Sequence, residues 1–124
     1  ARRDPPQEGA AGAKVWTLFG KKMKGRVPEV TVSAKDGEEQ WAAQWAVLRH
    51  TILQPGHAVI LHVRNHYALA FALREWVGAG GAQVREVLTA VKGQRPSTWM
   101  PWEDLHALMV KWTGHVVIAC RREE

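Results

Sequence analysis

A single cysteine, Cys120, in 124 residues excludes an intramolecular disulfide framework and a zinc site built mainly of thiolates. No apolar run approaches the roughly 20 residues that cross a bilayer, so no membrane span is expected. The first residues also lack the apolar core of a signal peptide. Tyrosine (one) and phenylalanine (two) are scarce, but tryptophan is abundant at seven, giving a short chain several large anchors for a core or a docking face. Apolar residues are 46% and charged residues 23%, the balance of a globular protein, and the length is that of one ordinary domain. A reducing, intracellular setting is expected, cytoplasmic or cytoskeletal.

Acidic residues are sparse where the chain begins. Residues 1–27 hold seven Lys and Arg against Asp4 and Glu8, which accounts for the whole formal charge of +5. The remainder is balanced, so the basic character belongs to an N-terminal segment. The reading divides the chain into a basic, flexible extension over 1–26 and one globular domain over 27–122. Lys14, Lys21, Lys22, Lys24 and Arg26, with Trp16 beside them, are the candidate binding residues. Such an arm suits an acidic surface such as tubulin or RNA. A nucleic-acid module more often spreads its basic residues over the folded face.

Periodicity supplies the elements. Val15–Phe19 reads as a short strand or an apolar hook, and Val27–Val32 as a weak strand. Asp36 with Glu39 three residues on has the pattern of a capping box. Trp41, Trp45, Leu48 and Ile52 then mark one face of a helix that Pro55-Gly56 ends. His57–Val63 is β-rich, Arg64-Asn65 a two-residue turn, and His66–Trp76 a long alternating strand. In that strand Tyr67, Leu69, Phe71 and Leu73 should meet a helix, and Ala68, Ala70 and Ala72 should admit a close neighbour. Gln83–Val91 is a third strand. Glu103 and Asp104 open a second helix with Trp102, Leu105, Leu108, Met109 and Trp112 inward and Gly114 as a left-handed cap. His115–Cys120 is the last strand. Together these predict an α+β domain, an antiparallel sheet of four to five strands with two main helices.

Six histidines raise the question of metal. With the turn at 64–65, Val63 faces His66 and His57 faces Ala72, so His57 and His66 share a face at opposite ends of the hairpin. His62 lies on the other face, and no third ligand joins them. His50, His106 and His115 read as surface or half-buried. No metal site and no cofactor are expected. His66, heading a strand among small side chains, is the candidate general base. Cys120 sits in an apolar strand, where an inert thiol is the usual outcome.

Gln54-Pro55-Gly56-His57-Ala58-Val59-Ile60-Leu61 followed by Asn65-His66-Tyr67-Ala68-Leu69-Ala70-Phe71 resembles the second half of papain-like peptidases that process double-glycine leaders. Trp99-Met100-Pro101-Trp102 through Ile118 is similar to that family's closing helix and strand. The resemblance implies a papain-like half-domain with His66 in the place of the catalytic histidine. It also implies a nucleophilic Cys on a helix upstream and an acid after the third strand. Residues 1–65 contain no Cys, and Leu88–Lys92 contain no carboxylate. Asn65–Trp76, with Arg85–Ala90 and Gly93-Gln94-Arg95-Pro96, more closely resembles the basic, immunoglobulin-like variable motif-containing proteins, an intracellular eukaryotic family, over roughly residues 38–120. The expected function is a non-catalytic binding or structural module that docks on a larger assembly through a Trp-rich surface and the basic arm. The alternatives are a cysteine peptidase-like enzyme using His66 and a nucleic-acid-binding accessory protein.

Overall fold

The computed structural model describes residues 12–63, 66–91 and 98–123. Strands β1 (Ala13–Gly20), β2 (Val30–Thr31), β3 (His57–Val63), β4 (His66–Val77), β5 (Gln83–Val91), β6 (Thr98–Pro101) and β7 (Val116–Arg122) form one sheet in the order β2-β1-β7-β3-β4-β5-β6. All neighbours are antiparallel except β1 and β2. Helices α1 (Glu38–Leu53) and α2 (Trp102–Lys111) complete an α+β fold. The sheet is mixed and has seven strands, more than the four to five expected, because the chain's weakest signals also pair. The two-residue β2 pairs along β1, and β6 holds four residues opposite Glu86–Thr89.

The boundary expected at residue 26 is displaced. Ala13–Gly20 is an inner strand against β7, with Leu18 and Phe19 fully buried. Apolar side chains outweigh local charge here, since each such burial stabilises the fold by about 1.5–3 kcal/mol. Only residues 1–11 of the expected flexible extension lie outside the described residues, as does the turn at 64–65.

Alternation along each strand assigns the sheet faces. Phe19, Val117, Leu61 and Ala68 stand opposite one another across β1, β7, β3 and β4, and they face the helices. Trp45 of α1 and Trp102 of α2 are buried above them. The Trp102 ring lies 5.1 Å from Phe19 and 6.4 Å from Trp45, both edge to face. The opposite face has the row Thr17, Ile118, Ile60, Leu69 and Ala90.

Strand β4 reverses the expected orientation. Ala68 and Ala70 face the helices, whereas Tyr67 and Leu69 point away, at 59% and 37% exposure. The helix layer presents indoles, so the sheet beneath it must be small-sided to be approached. A β-bulge at Phe71, between the pairs Ala70–Thr89 and Ala72–Leu88, then shifts the alternation by one residue. It turns Leu73 and Glu75 under α1, where Glu75 accepts hydrogen bonds from Trp45 Nε1 (3.0 Å) and Arg49 (2.6 Å). These bonds hold the Glu75 carboxyl below its usual range; that from Trp45 is the strongest cause.

Two caps also differ. Gly37 is the N-cap of α1, and Gln40 rather than Glu39 reaches back to its N–H at 2.8 Å. Helix α2 ends at an extended Trp112, and Gly114 is not in the left-handed region. Its role is clearance, because a Cβ there would lie 2.6 Å from the Trp112 ring.

Candidate functional site

His66 begins β4 opposite Val63, as expected, and is exposed. Cys120 stands opposite Ala58, five residues back along β3 and on the other face of the sheet. At about 3.3 Å per residue the two are roughly 16 Å apart along the strand, against the ~3 Å that proton transfer requires. The structure therefore does not bring this thiol to this imidazole. The pairing of β3 with β4 runs from Val63–His66 to Ile60–Leu69, so His57 does not reach Ala72. His57 instead stands opposite Arg121 of β7. Among the described residues, no three His, Cys, Asp or Glu side chains cluster at metal-binding distance.

His106 and His115 are buried more deeply than the surface or half-buried positions expected of them. His115 Nδ1 donates to the Leu108 carbonyl at 2.8 Å, closing the end of α2 onto β7. His106 Nε2 lies 2.8 Å from Asp36 Oδ2. A carboxylate only accepts, so Nε2 carries the hydrogen. The same oxygen accepts from the Ser33 N–H at 3.0 Å and Gln44 Nε2 at 2.9 Å, and Gln44 in turn accepts from Trp102 Nε1. Burial pushes the Asp36 carboxyl up, but the bonds from His106, Ser33 and Gln44 outweigh it and hold it below 3.8. An Asp–His pair can orient a catalytic imidazole. Here the ring packs edge-on against Trp41, and the network fastens α1 to α2. Sequence reading placed Asp36 at a cap because its partner in α2 is 70 residues away.

The basic candidates separate into two groups. Lys21, Lys22, Lys24 and Arg26 lie in the connection from β1 to β2, where Met23–Arg26 forms a tight turn with Gly25 at φ 82°. Lys22 and Lys24 are exposed, whereas the Arg26 guanidinium donates to the Thr113 carbonyl and acts as a fastener. This turn follows Gly20 at the end of the sheet that holds the β3–β4 hairpin. There His62 stacks on Tyr67 with centroids 4.2 Å apart and planes at 6°. Lys14 and Trp16 project from the other end of β1.

The tryptophans do not form one surface. Trp45 and Trp102 are core, Trp41 is half-buried beside His106, and Trp112 covers Gly114. Trp76, exposed, and Trp99, half-buried, flank Arg74 at 5.2 and 4.0 Å on the sheet face away from the helices. That whole face is the site that sequence reading missed. Val15, Tyr67, Leu69 and Trp76 are exposed on it, with Ile60, Leu88, Ile118 and Cys120 half-buried among them. The signal was the alternation in β4, read with the wrong face inward.

No protein-family model, no curated protein and no solved structure matches the chain.

Proposed function

We propose that this protein is a binding module that docks on an acidic protein surface within a larger assembly. The carrying observation is a sheet whose second face is uncovered by any described element yet carries exposed Tyr67, Leu69 and Trp76. An apolar patch of that kind marks an interaction surface more often than a random exposure does. Lys21, Lys22 and Lys24 add positive charge at the end of the sheet nearest Tyr67 and would speed and orient the encounter with an acidic partner. The order helix, strand, His66 strand, two further strands, helix, strand supports a papain-like half-domain used for binding. It also fits membership of the basic, immunoglobulin-like variable motif-containing family. The separation of Cys120 from His66 favours binding over peptidase chemistry within these residues.

Deleting residues 1–26 would remove β1 and the buried Leu18 and Phe19, so charge reversal is the cleaner test. Lys21, Lys22 and Lys24, each changed to Glu, should abolish co-sedimentation with microtubules whose acidic tails are intact. A second variant, Tyr67→Ser with Leu69→Ser, should weaken it without steepening its salt dependence. If wild type fails to sediment with microtubules but binds single-stranded RNA with a log–log salt slope near −2, roughly three phosphate contacts, the nucleic-acid alternative replaces this reading.

A further inference from the structure

We propose that the free edge of β4 accepts one extended segment of a partner protein as an added strand. Pairing of β3 with β4 stops at Leu69, β4 bends at the Phe71 bulge, and the strand then runs on to Val77. Phe71–Val77 pairs with β5 on one side, and among the described residues no strand or loop makes a backbone bond to its other side. Alternate residues of such an edge leave their N–H and C=O groups unpaired, and the ligand that satisfies a row of this kind is another strand. Natural sheets blunt their edges, and this one does so at its two outermost strands. Strand β2 has two residues, and β6 has four, the last of them Pro101. The Phe71–Val77 edge is longer and carries neither Pro nor Lys. An edge left open while the others are blunted is an edge kept for pairing.

The groove beside this edge selects the segment. It is a cavity of about 350 Å³ between α1 and β4, lined by Ile52 and Leu53 on the helix and by Phe71 and Leu73 on the strand, with Leu53 and Phe71 exposed. An added strand sends alternate side chains to the helix side of the sheet, where they enter this groove. The charged groups at its border are already matched, Arg49 by Glu75 and Arg74 by Glu86. A further charge brought between them would lose water and gain no free partner. The segment that fits is therefore uncharged, with aliphatic or β-branched side chains at alternate positions. A second copy of this chain fits poorly. Two-fold antiparallel pairing over the whole edge is centred on Arg74 and sets that residue directly opposite its own copy, a destabilising contact of like charges. The edge lies at the end of the sheet far from Lys21–Lys24 and offers backbone groups, so it does not rest on the acidic-surface reading.

The test titrates a short blocked peptide of alternating valine and threonine into the protein, followed by nitrogen–proton correlation spectra and amide hydrogen exchange. In the free protein, amides on the open side of Phe71–Val77 should exchange faster than those of β5. The peptide should shift these resonances saturably and slow their exchange at least about tenfold, leaving β6 unchanged. The same peptide N-methylated at every residue keeps its side chains but cannot donate, and should bind at least about tenfold more weakly. Glutamate in place of the valines should weaken binding to a similar degree. Leu53→Ser should weaken it about tenfold, the loss of one large aliphatic contact, and the exposed position leaves the fold intact. Tyr67→Ser with Leu69→Ser should leave peptide binding unchanged, so the edge and the docking face fail separately. Equal binding of the N-methylated peptide overturns strand addition, and equal binding of the glutamate peptide overturns the uncharged segment. Slow exchange of the edge in the free protein overturns the proposal. If that slowing grows with protein concentration the edge belongs to a second copy, and if it does not the chain covers its own edge. No saturable shift, or protection at Thr98–Pro101 in place of β4, overturns it as well.

Discussion

The two faces of the sheet are built from the same strands with opposite residue sizes. Toward the helices stand Ala68, Ala70, Val59, Leu61, Val117 and Ala119, nearly all with exposure in the low single figures, beneath the indoles of Trp45 and Trp102. Away from the helices stand Ile60, Tyr67, Leu69, Trp76, Trp99 and Ile118, larger on average and more exposed. A face reserved for solvent would carry charged and polar residues at these positions. The difference teaches that side-chain bulk does not mark the interior here. The interior is marked by small residues that let large helix residues sit close, and the bulky residues are left for a partner.

The greatest contrast should come from removing a large side chain from each face. Trp102→Ala opens a cavity between Phe19 and Trp45 and should cost about 3–5 kcal/mol in urea unfolding. Trp76→Ala, on the open face at 44% exposure, should cost under about 1 kcal/mol. Similar losses from both would mean that the open face is covered in solution. Size increases should show the reverse dependence. Ala70→Leu, beneath the helices at 6% exposure, should lose about 1–3 kcal/mol by overpacking, whereas Ala72→Leu faces away, opposite Leu88, and should be nearly neutral.

Acid should weaken the helix-covered face first. The folded pKa of Asp36 is depressed, so its contribution is fully present above the ordinary carboxylate value of 3.8 and is lost as pH falls through the lower, folded value. Glu38 behaves alike, chiefly through the hydrogen bond from Arg85. Stability measured by urea at stepped pH should therefore decline from about pH 5 toward about pH 2. Asp36→Asn should start lower and decline less steeply over that window. An unchanged slope would show that the Asp36–His106–Gln44 network does not tie α1 to α2.

Local patterns were legible wherever they determine the answer alone. Helix α1 and strands β3, β4 and β5 lie where periodicity and Pro55-Gly56 place them, and Val63 meets His66 in the register expected from the two β-rich runs. Three features needed the third dimension. Strand β1 looked like part of a basic arm until β7, about a hundred residues later, supplied its partner. The bulge at Phe71 has no composition signal, yet it decides that Glu75 rather than Arg74 meets α1. The open edge of β4 depends on where β3 stops pairing, and a strand's own residues do not show how far its neighbour reaches.

Arg74 offers the finest test, because its small effect separates a structural role from a docking one. The guanidinium lies 4.0 Å from the Trp99 centroid and 5.2 Å from that of Trp76, and its Nε donates to Glu86 at 2.7 Å. Cation–π contact and a half-exposed ion pair each contribute about 0.5–1 kcal/mol at such sites. Arg74→Ala should therefore lower stability by about 1 kcal/mol and leave the core intact. Arg74→Lys keeps the charge but loses the flat stacking surface, so it should recover only part of that. If the face also docks, both variants should weaken partner binding by more than they weaken the fold, because stacked Arg and Trp are the residues that interfaces draw on most. Losses in binding that merely track stability would make the Trp76–Arg74–Trp99 stack a brace for β4, β5 and β6, and the docking surface would shrink to the row from Tyr67 to Ile118.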